Sequence, residues 1–92
     1  MKIIWSPRAE QDLGEIWEHI AEDSVDAADR LTERLRTAAN VLIDHPHIGR
    51  AGRRKPTREL VVSGTAYILV YRASPARIDI AYVLHGARKW PP

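Results

Sequence analysis

Between Arg50 and Arg58 lie five cations, Arg50, Arg53, Arg54, Lys55 and Arg58, and no acid intervenes before Glu59. A run this dense can grip phosphate or a carboxylate on another protein, because Coulomb attraction does not tell the two apart. The plainer alternative is a solvated basic loop. Arg72 follows, and near the C-terminus stands Leu84-His85-Gly86-Ala87-Arg88. His85, with an unperturbed pKa near ~6.5, is able to shuttle a proton at neutral pH, or else it hydrogen-bonds backbone at a strand end. Gly86 is expected to take a positive φ and turn the chain sharply out of its last strand. That exit places Arg88 beside Arg72 and the basic loop, and Arg88 is the side chain expected to matter most for activity.

The halves of the chain are oppositely charged. Residues 1–48 carry five positive and ten negative side chains, a balance of −5, and residues 49–92 carry nine positive and two negative, a balance of +7. The net charge of +2 conceals this polarity. A basic surface facing a polyanion or an acidic partner is the reading it favours. With no cysteine there is no disulfide framework, thiolate nucleophile or zinc–sulfur site. His45 and His47 lie two apart in a proline-bounded loop without a third ligand, short of zinc coordination. No Ser-His-Asp order and no phosphate-cradling glycine loop is present. No apolar run approaches the ~18 residues of a membrane span, and the first five residues are too short for a signal peptide, so a cytoplasmic protein is expected. The length of 92 residues fits a single domain spanning 1–92.

The elements that must position these side chains are legible from periodicity. Lys2–Trp5 reads as a strand. Ser6-Pro7 supplies an N-cap and a proline at the first helical position. Ala9, Leu13, Ile16, Trp17 and Ile20 then line one face of a helix running to about Glu22, with His19 among the glutamates outside. Ser24 offers a second cap, and Val25, Ala28, Leu31, Leu35, Ala38 and Leu42 form the next stripe, so the two helices pack as an antiparallel hairpin. Residues 44–56 read as a loop. Residues 57–62, 66–72 and 77–84 read as strands joined by tight turns, the second apolar on both faces and therefore central. Ile78, Ile80, Tyr82 and Leu84 alternate with Asp79, Ala81 and Val83. Trp5, Trp17, Tyr67, Tyr71 and Tyr82 fall at helix and strand periods that suit a core; Trp90 lies in a tail. The order βααβββ predicts an α+β, two-layer sandwich, with the hairpin packed on a small, mainly antiparallel sheet.

In that order the residues resemble the RelE/ParE family of toxins from bacterial type II toxin–antitoxin pairs. The likeness runs from Trp5-Ser6-Pro7, Ala9, Asp12-Leu13 and Ile16 through Pro46 and Ile48-Gly49-Arg50. It is densest in Arg58-Glu59-Leu60, Gly64, Tyr67, Tyr71-Arg72 and Leu84-His85-Gly86-Ala87-Arg88. The family divides by target. RelE-like members cleave messenger RNA in the ribosome, and ParE-like members poison DNA gyrase. Cleavage at a 2′-hydroxyl needs a proton acceptor, a proton donor and cations for the phosphorane charge. For that branch the resemblance implies His85 or Glu59 handling protons, with Arg58, Arg72 and Arg88 on the phosphate. Two departures weigh against it: Ile68 stands where RelE-like chains carry arginine after the first tyrosine, and no tyrosine follows Arg88.

The ParE-like branch is therefore the expected one. It implies a growth-arresting, plasmid-stabilising toxin that inhibits gyrase by binding, through Arg50, Arg53, Arg54, Lys55, Arg58, Arg72 and Arg88, without bond chemistry, cofactor or metal. A non-toxic relative that only pairs with its antitoxin and helps repress their operon is the third reading. The implied partners are a cognate antitoxin encoded alongside, in a hetero-oligomer, and gyrase or, alternatively, ribosome and mRNA. An open sheet edge and an apolar groove beside the helical hairpin are the docking places expected for the antitoxin.

Overall fold

The computed structural model describes residues 1–86. Its elements are β1 (Lys2–Trp5), α1 (Pro7–Ala21), α2 (Val25–Ala39), α3 (Val41–Asp44), β2 (Arg50–Ala51), β3 (Arg58–Val61), β4 (Tyr67–Ala73) and β5 (Arg77–His85). This is the expected α+β sandwich with two short additions, α3 and β2. Both helices begin where serine offers a cap: Ser6 Oγ accepts from the Ala9 N–H at 2.9 Å, and Ser24 Oγ accepts from Ala27 N–H at 3.1 Å. The second apolar stripe is broken at Asn40, whose N–H donates to Thr37 O, a tightened turn that separates α2 from α3. Leu42, fully buried beyond the break, keeps the stripe on the core.

The five strands lie in the order β1-β5-β4-β3-β2, with β1 parallel to β5 and the rest antiparallel. β4 is central, as its two apolar faces require. β1 pairs only with Arg77–Ile80, so the upper half of β5 has no strand on that side. Helix α1 takes its place. Ser6 N–H donates to Ile80 O at 3.0 Å, Ser6 Oγ donates to Ala81 O at 2.6 Å, and the Val83 N–H donates to Asp12 Oδ2 at 2.9 Å. Three backbone groups of a sheet edge are thus satisfied by one helix.

A bulge falls at the same point. The register passes from Tyr71↔Ile80 to Val70↔Tyr82, leaving Ala81 as the extra residue. Simple alternation would put Ile78, Ile80, Tyr82 and Leu84 on one face. Instead Ile78, Ile80 and Val83 pack with the helices, while Leu84 and Tyr82 join Ile68 and Val70 on the opposite face. The expectation for β5 was wrong by one residue from Ala81 onward, and the bulge is the reason.

The main core lies between the sheet and the hairpin and includes Leu13, Leu35, Leu42, Leu69, Ile78 and Ile80 around Tyr71, all at or near zero exposure. Burial pushes the Tyr71 phenol above its usual 10.0, and hydrogen bonding at Gly49 and the charge of Arg58 oppose the shift. Its neutral form is therefore favoured by folding, a stabilisation fully present below the ordinary phenol pKa and lost as pH climbs through the higher folded value. The thermal unfolding midpoint is expected to fall as pH is raised above 10.0, and Tyr71→Phe should flatten part of that fall. An unchanged alkaline slope in the variant would remove Tyr71 from the effect.

Gly64, at φ 79°, is the glycine with positive φ among the described residues, and it turns β3 into β4. Gly86 does not have the positive φ expected of it. Its N–H donates to Ala66 O at 2.6 Å, and an added Cβ would lie 3.1 Å from the same oxygen, so close approach rather than handedness explains the residue.

Candidate functional site

Residues paired directly across a sheet share a face, and the register therefore builds the open face, the one without helices, row by row. One row crosses four strands: Arg50 on β2, Glu59 on β3, Val70 on β4 and Tyr82 on β5. At its far end the Arg8 guanidinium, from the first turn of α1, lies 4.6 Å from the Tyr82 ring centroid. A second row joins Val61, Ile68 and Leu84. A third sets Ile4, Asp79 and Arg72 side by side. Arginines thus stand at both ends of the middle row and beside it.

Charge is balanced unevenly over this face. Arg50 Nη2 meets Glu59 Oε1 at 2.8 Å, which satisfies the Glu59 carboxylate although it is only 6% exposed. Arg77 pairs with Asp79 at 3.0 Å. Burial raises the Tyr82 phenol above its usual range. The positive charges of Arg8, Arg54 and Arg72 pull it back, and Glu59 adds to the rise. Three arginines therefore act on one half-buried ring.

Of the residues singled out in the sequence, Arg72 reaches this face, exposed, and Arg54 acts on it through Tyr82. Arg53 and Lys55 are exposed on the same connection between β2 and β3 as Arg54. Arg58 does not join them. It pairs with Tyr71, the neighbour of Arg72, so the pleat sends Arg58 and Arg72 to opposite faces. Arg58 Nη1 donates to Gly49 O at 3.0 Å and His47 O at 3.3 Å, tying down the loop ahead of β2. The expected single surface holding Arg58 with Arg72 is corrected accordingly. His85 also lies on the helix side, edge-on to Tyr67 with ring centroids 5.2 Å apart. Glu59 and Arg72 are thus separated by the sheet from His85 and Arg58. Arg88 lies outside the described residues.

Arg8 and Tyr82 were missed as site residues. Arg8 sits in the acidic half, where its only signal is being a cation beside the helix-starting proline. Tyr82 reads as core until the bulge turns it over. Among the described residues no group of three or more His, Asp or Glu side chains is placed to hold a metal ion. No helix there is long and apolar enough to cross a membrane.

Among the described residues, hollows open on both sides of the sheet. One, of about 320 Å³, is lined by Arg50, Val61, Ile68 and the turn residues Thr65, Ala66 and Gly86, with Tyr67 and His85 at its end. The larger, about 620 Å³, lies on the helix side between α1 and the upper half of β5. Asp12, Glu15, His19, Tyr67 and His85 stand around apolar Ile16, Ile20 and Val83. It lies beside the hairpin, where an apolar groove was expected, but Asp12, Glu15, His19 and His85 make its lining mixed rather than apolar.

Comparison with known proteins agrees with this architecture. The family described as the ParE toxin of the type II toxin–antitoxin system, parDE, matches residues 3–90. Y4kP from Sinorhizobium fredii is 42% identical over 90 residues, covering 98% of this chain and 93% of its own. Toxin RelE2 of Caulobacter vibrioides is 36% identical over 87 residues, covering 95% and 97%. Toxin RelE3 of the same organism is 33% identical over 85 residues, covering 90% and 91%. A chain from the chromosomal ParDE system of P. aeruginosa superposes with a TM-score of 0.83 over 92% of this chain and 95% of its own, at 18% identity, a likeness of fold. The chain belongs to the RelE/ParE family, in the ParE toxin family of type II toxin–antitoxin systems.

Proposed function

We propose that this toxin arrests growth by binding DNA gyrase while the enzyme holds cleaved DNA, performing no bond chemistry itself. The observation that supports this is the separation of the acid–base candidates: His85 and Arg58 on the helix side of the sheet, Glu59 and Arg72 on the open side. A ribonuclease needs a proton acceptor, a proton donor and a phosphate grip at one point. A binding protein needs only a cationic surface, which Arg50, Arg54 and Arg72 supply with Arg53 and Lys55 on the adjoining loop; Arg88 is assigned to the same surface from the sequence. The cognate antitoxin, encoded beside the toxin in the cytoplasm, docks in the groove between α1 and β5 and neutralises it in a hetero-oligomer. A ribosome-dependent mRNA endonuclease is the second reading, favoured by Glu59, Tyr82 and Arg72 sharing the open face.

Expression from an inducible promoter without antitoxin separates the readings. Gyrase poisoning predicts filamentous cells, induction of the DNA-damage response and cleaved plasmid. An immediate stop in protein synthesis with cut transcripts would replace it with the endonuclease. Normal growth at verified expression would mean a non-toxic, antitoxin-pairing relative. Within the same assay Arg88→Ala is expected to abolish arrest while thermal unfolding is unchanged, and undiminished arrest would remove Arg88 from the surface.

A further inference from the structure

We propose that the smaller hollow is the seat of this chain's own C-terminal segment, with the Trp90 indole lodged between Val61 and Ile68, which makes Trp90 a positioning residue for Arg88. This rests on the gyrase reading, which assigns Arg88 to the binding surface, and names what holds that side chain there. The apolar surface around the hollow lacks a cover. β2 pairs only with Arg58 and Glu59, so among the described residues no strand lies on that side of Leu60 and Val61. Val61 is left 51% exposed, at the end of a row that continues through Ile68 and Leu84. The hollow of about 320 Å³ opens against this row. An indole fills such a space with a large flat apolar body and can keep its N–H at the wet mouth. Trp5 and Trp17 are already half-buried elsewhere, and Trp90 is the tryptophan that lies outside the described residues.

The point at which the chain leaves the sheet favours the same seat. The Gly86 N–H donates to Ala66 O at 2.6 Å, carrying the pairing of β5 with β4 one residue past Tyr67↔His85. A Cβ on Gly86 would lie 3.7 Å from Ile68 Cδ1, so the chain departs directly against the apolar row. Gly86 lines the smaller hollow and not the larger one on the helix side. Trp90 follows four residues later, a reach of up to about 13–14 Å. Crossing from β5 over β4 to β3 takes two strand spacings, roughly 10 Å. The segment is therefore long enough to bring its indole to Val61. Arg88, midway along it, then stands on the side of the sheet that carries Arg50 and Arg72. The competing seat is the helix-side groove, where Arg88 and Lys89 would meet Asp12 and Glu15.

The test is NMR on the full chain, made by cell-free synthesis with labelled Ile, Leu and Val methyl groups, beside gyrase-dependent plasmid cleavage. NOEs are expected from the Trp90 indole to the Ile68 and Val61 methyl groups. In Trp90→Ala the Ile68 methyl signal should lose its ring-current displacement, while the Leu13 and Leu35 signals stay in place and show an intact core. That variant should lower plasmid cleavage roughly fivefold or more, because Arg88 must then be ordered at each encounter, and Trp90→Phe should restore most of it. Indole NOEs to Ile16 and Ile20 instead would put the segment in the helix-side groove and overturn the proposal. Contacts that arise only between differently labelled molecules would give the hollow to a second copy, and they overturn it too, as does full cleavage by Trp90→Ala. A wild type that makes the NOEs and cleaves no plasmid sinks the gyrase reading alone. One that cleaves plasmid without the NOEs sinks this inference alone.

Discussion

Tyr71→Ala is expected to cost about 3–5 kcal/mol, the range for truncating a buried aromatic. A domain of this size has about 5–15 kcal/mol in all, so the variant should stand near its unfolding threshold. The ring is fully buried on the core side of the central strand. Its hydroxyl also ties the sheet to the loop that precedes β2: Gly49 N–H donates to it at 3.0 Å, and it donates to Pro46 O at 2.9 Å. Gly49 is small because a Cβ there would lie 2.7 Å from the ring and 2.9 Å from Glu59 O. Tyr71→Phe keeps the packing and strands the buried Gly49 N–H, at about 1–3 kcal/mol. Urea titration reads both, as a lowered midpoint at constant slope. A Tyr71→Phe midpoint equal to the wild type would mean that the loop is held without the hydroxyl.

Arg58→Ala and Arg72→Ala should have opposite phenotypes although they lie on neighbouring strands. Arg58 holds two backbone carbonyls of the 45–49 loop. Hydrogen bonds to a charged group contribute about 1.5–3 kcal/mol, and Arg58 is partly exposed, so a loss of about 1–3 kcal/mol is expected. For a domain this small each kcal/mol corresponds to roughly 4–8 °C in unfolding midpoint. Arg72 is exposed and makes no such hydrogen bond among the described residues, so Arg72→Ala should stay within about 0.5 kcal/mol of wild type. Its effect should appear in growth arrest, which it lowers at unchanged protein level. Arg58→Ala should lower arrest only in step with the amount of folded protein. If Arg58→Ala instead kept full stability and abolished arrest, Arg58 would belong to the target surface after all.

That pair shows where reading the sequence stops. The two serine caps, the two helices, the three-strand meander and the central place of β4 all follow from local chemistry: a hydroxyl ahead of a helix, apolar residues at three- and four-residue steps, and β-branched runs between turn residues. The family resemblance follows from the same residues in order. The basic run, too, is visible as composition. β2 was not legible, because two exposed residues become a strand only through their partner, and alternation has nothing to report over so short a length.

Local pattern and charge alone determined β1, the two long helices and the three-strand meander, their order, and the polarity between an acidic helical half and a basic sheet half. Only the tertiary structure decided which cations share a face. Strand register placed Arg58 and Arg72 back to back, a single bulge at Ala81 turned Tyr82 from the core to the open side, and the α1 edge contact brought Arg8 over it. The physical reason is that side-chain direction in a strand has a period of two, so one extra residue reverses everything beyond it. Whether a strand carries that residue is set by its neighbours across space, not by its own sequence.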